Sequence, residues 1–127
     1  MSKKTIKLHP LVFEKLGSQE KSHHIVRGKQ MNEFKIGDTI QFKCKNKAKT
    51  RKIKGTEPVL IYNVENNFPL IAVGKGSLAT KLAKSQAQNL AVREGYSGIS
   101  ELILALNLKP GQKSHCKILH FTDVKYL

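Results

Sequence analysis

DTIQFKCKNKAKTRKIKGTE, residues 38 to 57, is the stretch whose reading decides the fold. From Thr39 to Cys44 polar and apolar residues alternate. Side chains of an extended strand point to opposite faces in turn, so Ile40, Phe42 and Cys44 are expected to face a core. Lys43, Lys45, Lys47, Lys49 and Arg51 then fall at every second position, and Lys52 and Lys54 complete seven basic residues with no acid between Asp38 and Glu57. With a turn at Asn46-Lys47-Ala48, the segment reads as a β-hairpin carrying a row of positive charge along one side.

Outward from the hairpin, the amino-terminal side reads as a strand at Thr5 to Leu8, then a helical turn opened by His9-Pro10 and closed by Gly17. Leu11, Val12 and Leu16 are expected on its buried side. His23 to Arg27, centred on the β-branched pair Ile25-Val26, reads as a second strand. Phe34-Lys35-Ile36-Gly37-Asp38 is a hydrophobic anchor followed by a tight turn.

On the carboxy-terminal side, Val59-Leu60-Ile61-Tyr62 is strand-like, and Asn66 to Gly76 carries no clear period. Ser77 is expected to cap a helix running to about Val92, with Leu78, Leu82 and Leu90 on one side. A second helix, capped by Ser97 or Ser100, buries Ile99, Leu102, Ile103 and Leu106. Lys109-Pro110-Gly111 breaks the chain, and a last strand takes in Cys116, Ile118 and Phe121. This order predicts one α+β domain over residues 1–127, built on a small, curved, partly closed, mostly antiparallel β-barrel with two to three flanking helices.

The chain's 127 residues carry 23 Lys+Arg against 9 Asp+Glu, a formal charge of +14 with a sequence pI near 10. Such an excess points to an anionic partner, a nucleic acid (RNA or DNA) or a nucleotide, ahead of a membrane surface or an acidic protein. Only three of the cations are arginine, so contact by point charge to phosphates is expected over bidentate reading of bases. The plain alternative is a solvated basic face. No run approaches the roughly 18 apolar residues of a membrane span, and Met1 to Lys7 has no hydrophobic region behind it. No membrane contact and a cytoplasmic location are expected, as a monomer or weak dimer. Cys44 and Cys116 stand far apart without metal-site spacing and are read as small buried residues; no metal and no cofactor are expected.

Lys21, Arg27, the Phe34–Asp38 turn, Glu94-Gly95-Tyr96, Ser100-Glu101-Leu102 and Pro110-Gly111-Gln112 occur in the order seen in ASCH domains. The chain resembles that family, which belongs to the PUA-like superfamily of small β-barrels that commonly handle RNA. The likeness spans nearly the whole chain, with residues 56–92 the least matched and read as a family-divergent insertion. The resemblance implies a Gly-x-Lys-x-x-x-x-Arg signature entering the second strand. It also implies a relation to small bacterial enzymes that look like amidohydrolases of N4-acetylcytidine, in which a Lys is base, a Thr nucleophile and a Glu proton carrier. Lys21, Arg27 and Glu94 match the base, the signature Arg and the carboxylate.

The nucleophile does not match: two residues before Arg27 stands Ile25, and the Lys-to-Arg spacing is one residue longer than the signature. Ser22 is the nearest hydroxyl, although a regular strand would turn it away from Lys21 and Arg27. His23 shares their side, so Lys21, Glu94 and His23 form the candidate catalytic set, for water attack or for ribonuclease-type acid–base chemistry. Arg27, Lys43, Lys45, Lys47, Lys49, Arg51, Lys52, Lys54 and Tyr96 form the candidate nucleic-acid-binding set, Tyr96 as a stacking surface for one base. Two function classes follow: an RNA- or nucleotide-binding domain with a basic cleft, and a hydrolase using Lys21 and Glu94. A basic protein gripping an acidic protein surface is the third.

Overall fold

The computed structural model describes residues 3–18 and 21–122. Among them, eight strands and four helices form a mixed α+β arrangement with two sheets. In chain order these are β1 (Lys3–Lys7), α1 (Pro10–Gly17), β2 (His23–Arg27), α2 (Gln30–Glu33), β3 (Thr39–Cys44), β4 (Lys47–Lys52) and β5 (Gly55–Tyr62). Then come β6 (Leu70–Val73), β7 (Thr80–Lys81), α3 (Lys84–Glu94), α4 (Ile99–Ala105) and β8 (Lys113–His120).

The smaller sheet has the order β1-β3-β4, with β1 parallel and β4 antiparallel to β3. The larger has the order β2-β8-β5-β6-β7 and is antiparallel throughout. The chain steps between the sheets at Ile53-Lys54, where the Ile53 N–H donates to the Asp38 carbonyl of one and the Lys54 N–H to the His120 carbonyl of the other.

Two apolar cores follow from this layout. Ile6, Phe13, Leu16, Phe34, Ile40, Phe42 and Ile53 pack under the smaller sheet against α1. Val59, Ile61, Ile71, Leu90, Leu102 and Ile118 pack between the larger sheet and α3 and α4. Each such side chain contributes about 1.5–3 kcal/mol by leaving water. α1 begins as expected: His9 is the N-cap, its Nδ1 accepting the Leu11 N–H at 3.2 Å, and Pro10 sits in the first turn.

The expected α+β class is borne out; no closed barrel is found among the described residues, β1 and β2 both being edge strands. Several finer expectations are corrected. The hairpin turn is Lys45-Asn46, with Cys44 opposite Lys47 and Lys45 at φ 56°, not Asn46-Lys47-Ala48. Residues opposite each other across a pair share a face. Lys49 opposite Phe42 and Arg51 opposite Ile40 therefore lie on the inner face, and Lys43 opposite Ala48 on the outer one. The alternating row crosses the turn and is split between two faces. Ser77 opens no long helix: a single 3-10 turn (Gly76–Leu78) and β7 intervene before α3, leaving Leu78 83% exposed. Leu11 is likewise exposed, at 65%. α4 has Gly98, not Ser97 or Ser100, at its N-cap, and the Gln88 side chain takes the Ile99 N–H at 2.6 Å. Residues 56–92 supply most of β5, all of β6 and β7, and most of α3.

Candidate functional site

Lys21 and Glu94 meet in the interior, 3% exposed each. The meeting is set by two local patterns. Ala87, Leu90, Ala91 and Glu94 follow one another at helical spacing and are the buried residues of α3, so the carboxylate at the end of that stripe is carried inward. Gly95 then ends the helix at φ 113°, where a Cβ would lie 2.9 Å from Val12 Cγ1. Only glycine suits both the left-handed backbone and the close passage of α1.

The pair occupies the free edge of β2. Alternate residues of an edge strand aim their backbone groups away from the sheet, where they need partners if buried. Here the His23 carbonyl accepts from Lys21 Nζ at 2.7 Å, and the Ile25 N–H donates to Glu94 Oε1 at 2.9 Å. Lys21 Nζ also donates to the Glu94 carbonyl at the end of α3 (2.6 Å) and forms an ion pair with Glu94 Oε1 at 3.3 Å. Two side chains thus do at the His23–Ile25 end of β2 what a neighbouring strand would.

Both histidines of β2 reach the same carboxylate. His23 Nδ1 lies 2.9 Å from Oε2; because a carboxylate accepts, that nitrogen carries the proton. His24 Nδ1 lies 3.3 Å from Oε1, within ion-pair distance but outside hydrogen-bond geometry. Burial acts to raise the Glu94 pKa, and the Lys21 ammonium, His24 and His23 outweigh it, holding the group well below the usual carboxylate value. Burial lowers the pKa of Lys21 against the pull of Glu94. It also lowers both imidazoles, assisted at His24 by the Lys21 charge. On the far side of His23 stands the His120 ring, edge to face at 5.6 Å, whose Nε2 meets Glu57 Oε1 at 2.6 Å.

A cleft of about 1150 Å³ opens beside this cluster. One wall is Thr5 to His9 and α1, with Leu11, Val12 and Lys15; the other is His24, the Gly95-Tyr96-Ser97 loop and α4, with Leu104 and Ala105. Its lysines, Lys7 and Lys15, are matched by Glu14 and Glu101, so the expected basic cleft is corrected to one of balanced charge and largely apolar wall. Burial, then Glu94 and Glu101, push the Tyr96 hydroxyl up, keeping it a neutral donor.

The sequence-derived candidates therefore divide. Tyr96 lines the cleft; Lys21, Glu94 and His23 lie behind its wall, and His24, outside the candidate catalytic set, lines it together with His9. Arg27 points elsewhere, Nη1 donating to the Leu106 carbonyl. Arg51 donates to the Leu16 carbonyl and Lys49 lies 5.9 Å from the Phe13 ring centre, both holding α1. Lys43, Lys45, Lys47, Lys52 and Lys54 are exposed. Cys116 is buried, its thiol pKa raised by that burial, and Cys44 is half-buried. Among the described residues, no three or more His, Cys, Asp or Glu side chains are arranged to hold a metal ion, and no helix is long and apolar enough to cross a membrane. No protein-family model, curated protein or solved structure matches the chain.

Proposed function

We propose that this chain is an ASCH-like domain of PUA-like, opened-barrel character that binds RNA or a nucleotide. One base sits in the cleft between α1 and the Gly95-Tyr96-Ser97 loop. The observation that carries the reading is the cleft's lining: apolar walls, an aromatic ring at Tyr96 and a neutral imidazole at His24, in a chain of charge +14. Apolar concavities with a few polar groups hold small ligands, and aromatic faces hold unstacked bases. The balanced charge of the cleft suits an uncharged base better than a phosphate.

Binding of the four nucleosides and of short single-stranded RNA tests this. Tyr96→Ala is expected to weaken RNA binding by about tenfold, since a base stack is worth about 1–3 kcal/mol. A chain that binds neither nucleoside nor RNA overturns the reading.

A second reading, a hydrolase of N4-acylcytidine or RNA, is favoured by one contact: His24 lies against the Glu94 carboxylate while facing the cleft. A neutral imidazole backed by a carboxylate is able to take a proton from water or a hydroxyl, and Thr5, Ser18 and Ser97 line the same space. Lys21, buried and paired with the carboxylate, serves in this reading to keep Glu94 ionised. Turnover of N4-acetylcytidine and of mixed RNA that is equal in wild type and His24→Gln disposes of it.

A further inference from the structure

The outer face of the β1-β3-β4 sheet presents lysines among uncharged polar and small side chains. Its cross-strand ranks are Lys7–Lys43–Ala48, then Thr5–Gln41–Thr50, then Thr39–Lys52. Burial of Ile6, Ile40 and Phe42 on the opposite side fixes this face as the solvent side. It bears no carboxylate at any of those positions. Strands stand about 4.8 Å apart and rise about 3.3 Å per residue, so the outer ranks are roughly 13 Å apart, with hydroxyl and amide side chains between them.

Other cations around this sheet have structural tasks. Lys4 Nζ donates to the Glu33 carbonyl, Arg51 to the Leu16 carbonyl and Lys117 to the carbonyls of Met31 and Phe34, while Lys49 covers the Phe13 ring. Lys7, Lys43 and Lys52 are exposed, and among the described residues no hydrogen bond or ion pair engages their ammonium groups. Thr5 and Lys7 also line the cleft, so the cleft and this face meet along β1 without acidic ground between them.

We infer that the outer face of β1-β3-β4 carries the phosphate backbone of a single-stranded RNA leaving the cleft, with Lys7, Lys43 and Lys52 as the contacting cations and Thr5, Gln41 and Thr50 as polar neighbours. The inference rests on the nucleobase reading of the cleft. It places the electrostatic part of binding outside the pocket, on lysines that position a backbone without reading sequence.

The test compares Lys7→Gln/Lys43→Gln/Lys52→Gln with a charge-matched triple on the larger sheet and its flank, Lys75→Gln/Lys81→Gln/Lys113→Gln, all at exposed positions. A labelled RNA of about 12 nucleotides is titrated between about 50 and 200 mM salt, and single nucleosides are titrated in parallel. The first triple is expected to lower the slope of log K against log salt by about 2 and weaken the RNA about tenfold, and the pair Lys43→Gln/Lys52→Gln, which keeps the cleft-lining Lys7, is expected to leave nucleoside binding unchanged. The second triple is expected to keep the wild-type slope. Equal losses in both triples overturn the inference, because diffuse net charge then explains the binding, and so does no loss in either. Retained lysine dependence with no nucleoside binding by wild type keeps this face and sinks the cleft reading.

Discussion

β1 and β2 are both edge strands, yet their free edges are treated in opposite ways. The edge of β2 is sealed from within, its His23 carbonyl and Ile25 N–H taken by Lys21 and Glu94. β1 has the other fate. The Leu8 N–H donates to the Lys43 carbonyl, so by strand alternation the backbone groups of Thr5 and Lys7 point away from β3, on the side of the cleft. Buried charge in this protein completes a sheet edge, and the open edge is where a ligand has room.

The strongest way to break that contrast is Glu94→Leu. It strands the Lys21 ammonium and orphans the Ile25 N–H in the interior, and urea unfolding should show a loss of about 3–5 kcal/mol. Lys21→Met should cost less, about 2–3 kcal/mol, because the carboxylate keeps the Ile25 N–H and both imidazoles. The double variant Lys21→Met/Glu94→Leu should be less unstable than the sum of the two single losses, by about 1–3 kcal/mol; strict additivity would mean the two groups do not act as a unit.

Acid sharpens the contrast by titrating the groups of the sealed edge. Both imidazoles have folded-state pKa values below their ordinary 6.5, so the unfolded chain takes up protons first. Their contribution is present above pH 6.5 and lost as pH falls through that value toward the folded ones. Glu94, depressed from 4.5, adds a second loss at lower pH. His24→Gln should flatten the first limb, and an unchanged limb would show that His24 does not titrate on unfolding. The smallest effect belongs to β1: Thr5→Pro removes an N–H that β3 does not use, and should cost no more than about 1 kcal/mol. Amide exchange should likewise protect Ile25 and leave Thr5 and Lys7 fast.

Legibility in the sequence followed how one-sided each element is. β3 was plain because one face is buried and the other wet, so its alternation survives as Ile40 and Phe42 against Gln41 and Lys43. β6 was missed because Ile71, Ala72 and Val73 are all buried, leaving no period between Pro69 and Gly74. α3 was misplaced because two alanines fill half its buried stripe, while Leu78 and Leu82, outside the helix, supplied the false pattern. Of the site, Lys21, Glu94 and Tyr96 were picked out, but not the burial of the first two. The position of Glu94 seven residues after Ala87, on the stripe through Leu90 and Ala91, was the available signal. The choice between His23 and His24 was not legible, since β2 is covered on both faces and both rings turn toward one carboxylate.

The strand order of the larger sheet has a consequence for how the protein is made. Its second member, β8, is the last described strand in chain order, yet it lies between β2 and β5 and pairs with both. A ribosome delivers β2 and β5 well before Lys113–His120 emerges, so the nascent chain must wait with those two strands unjoined. Translation speed between the codons for Tyr62 and His120, and any chaperone that shields β2 and β5 meanwhile, will therefore bear on the yield of folded protein.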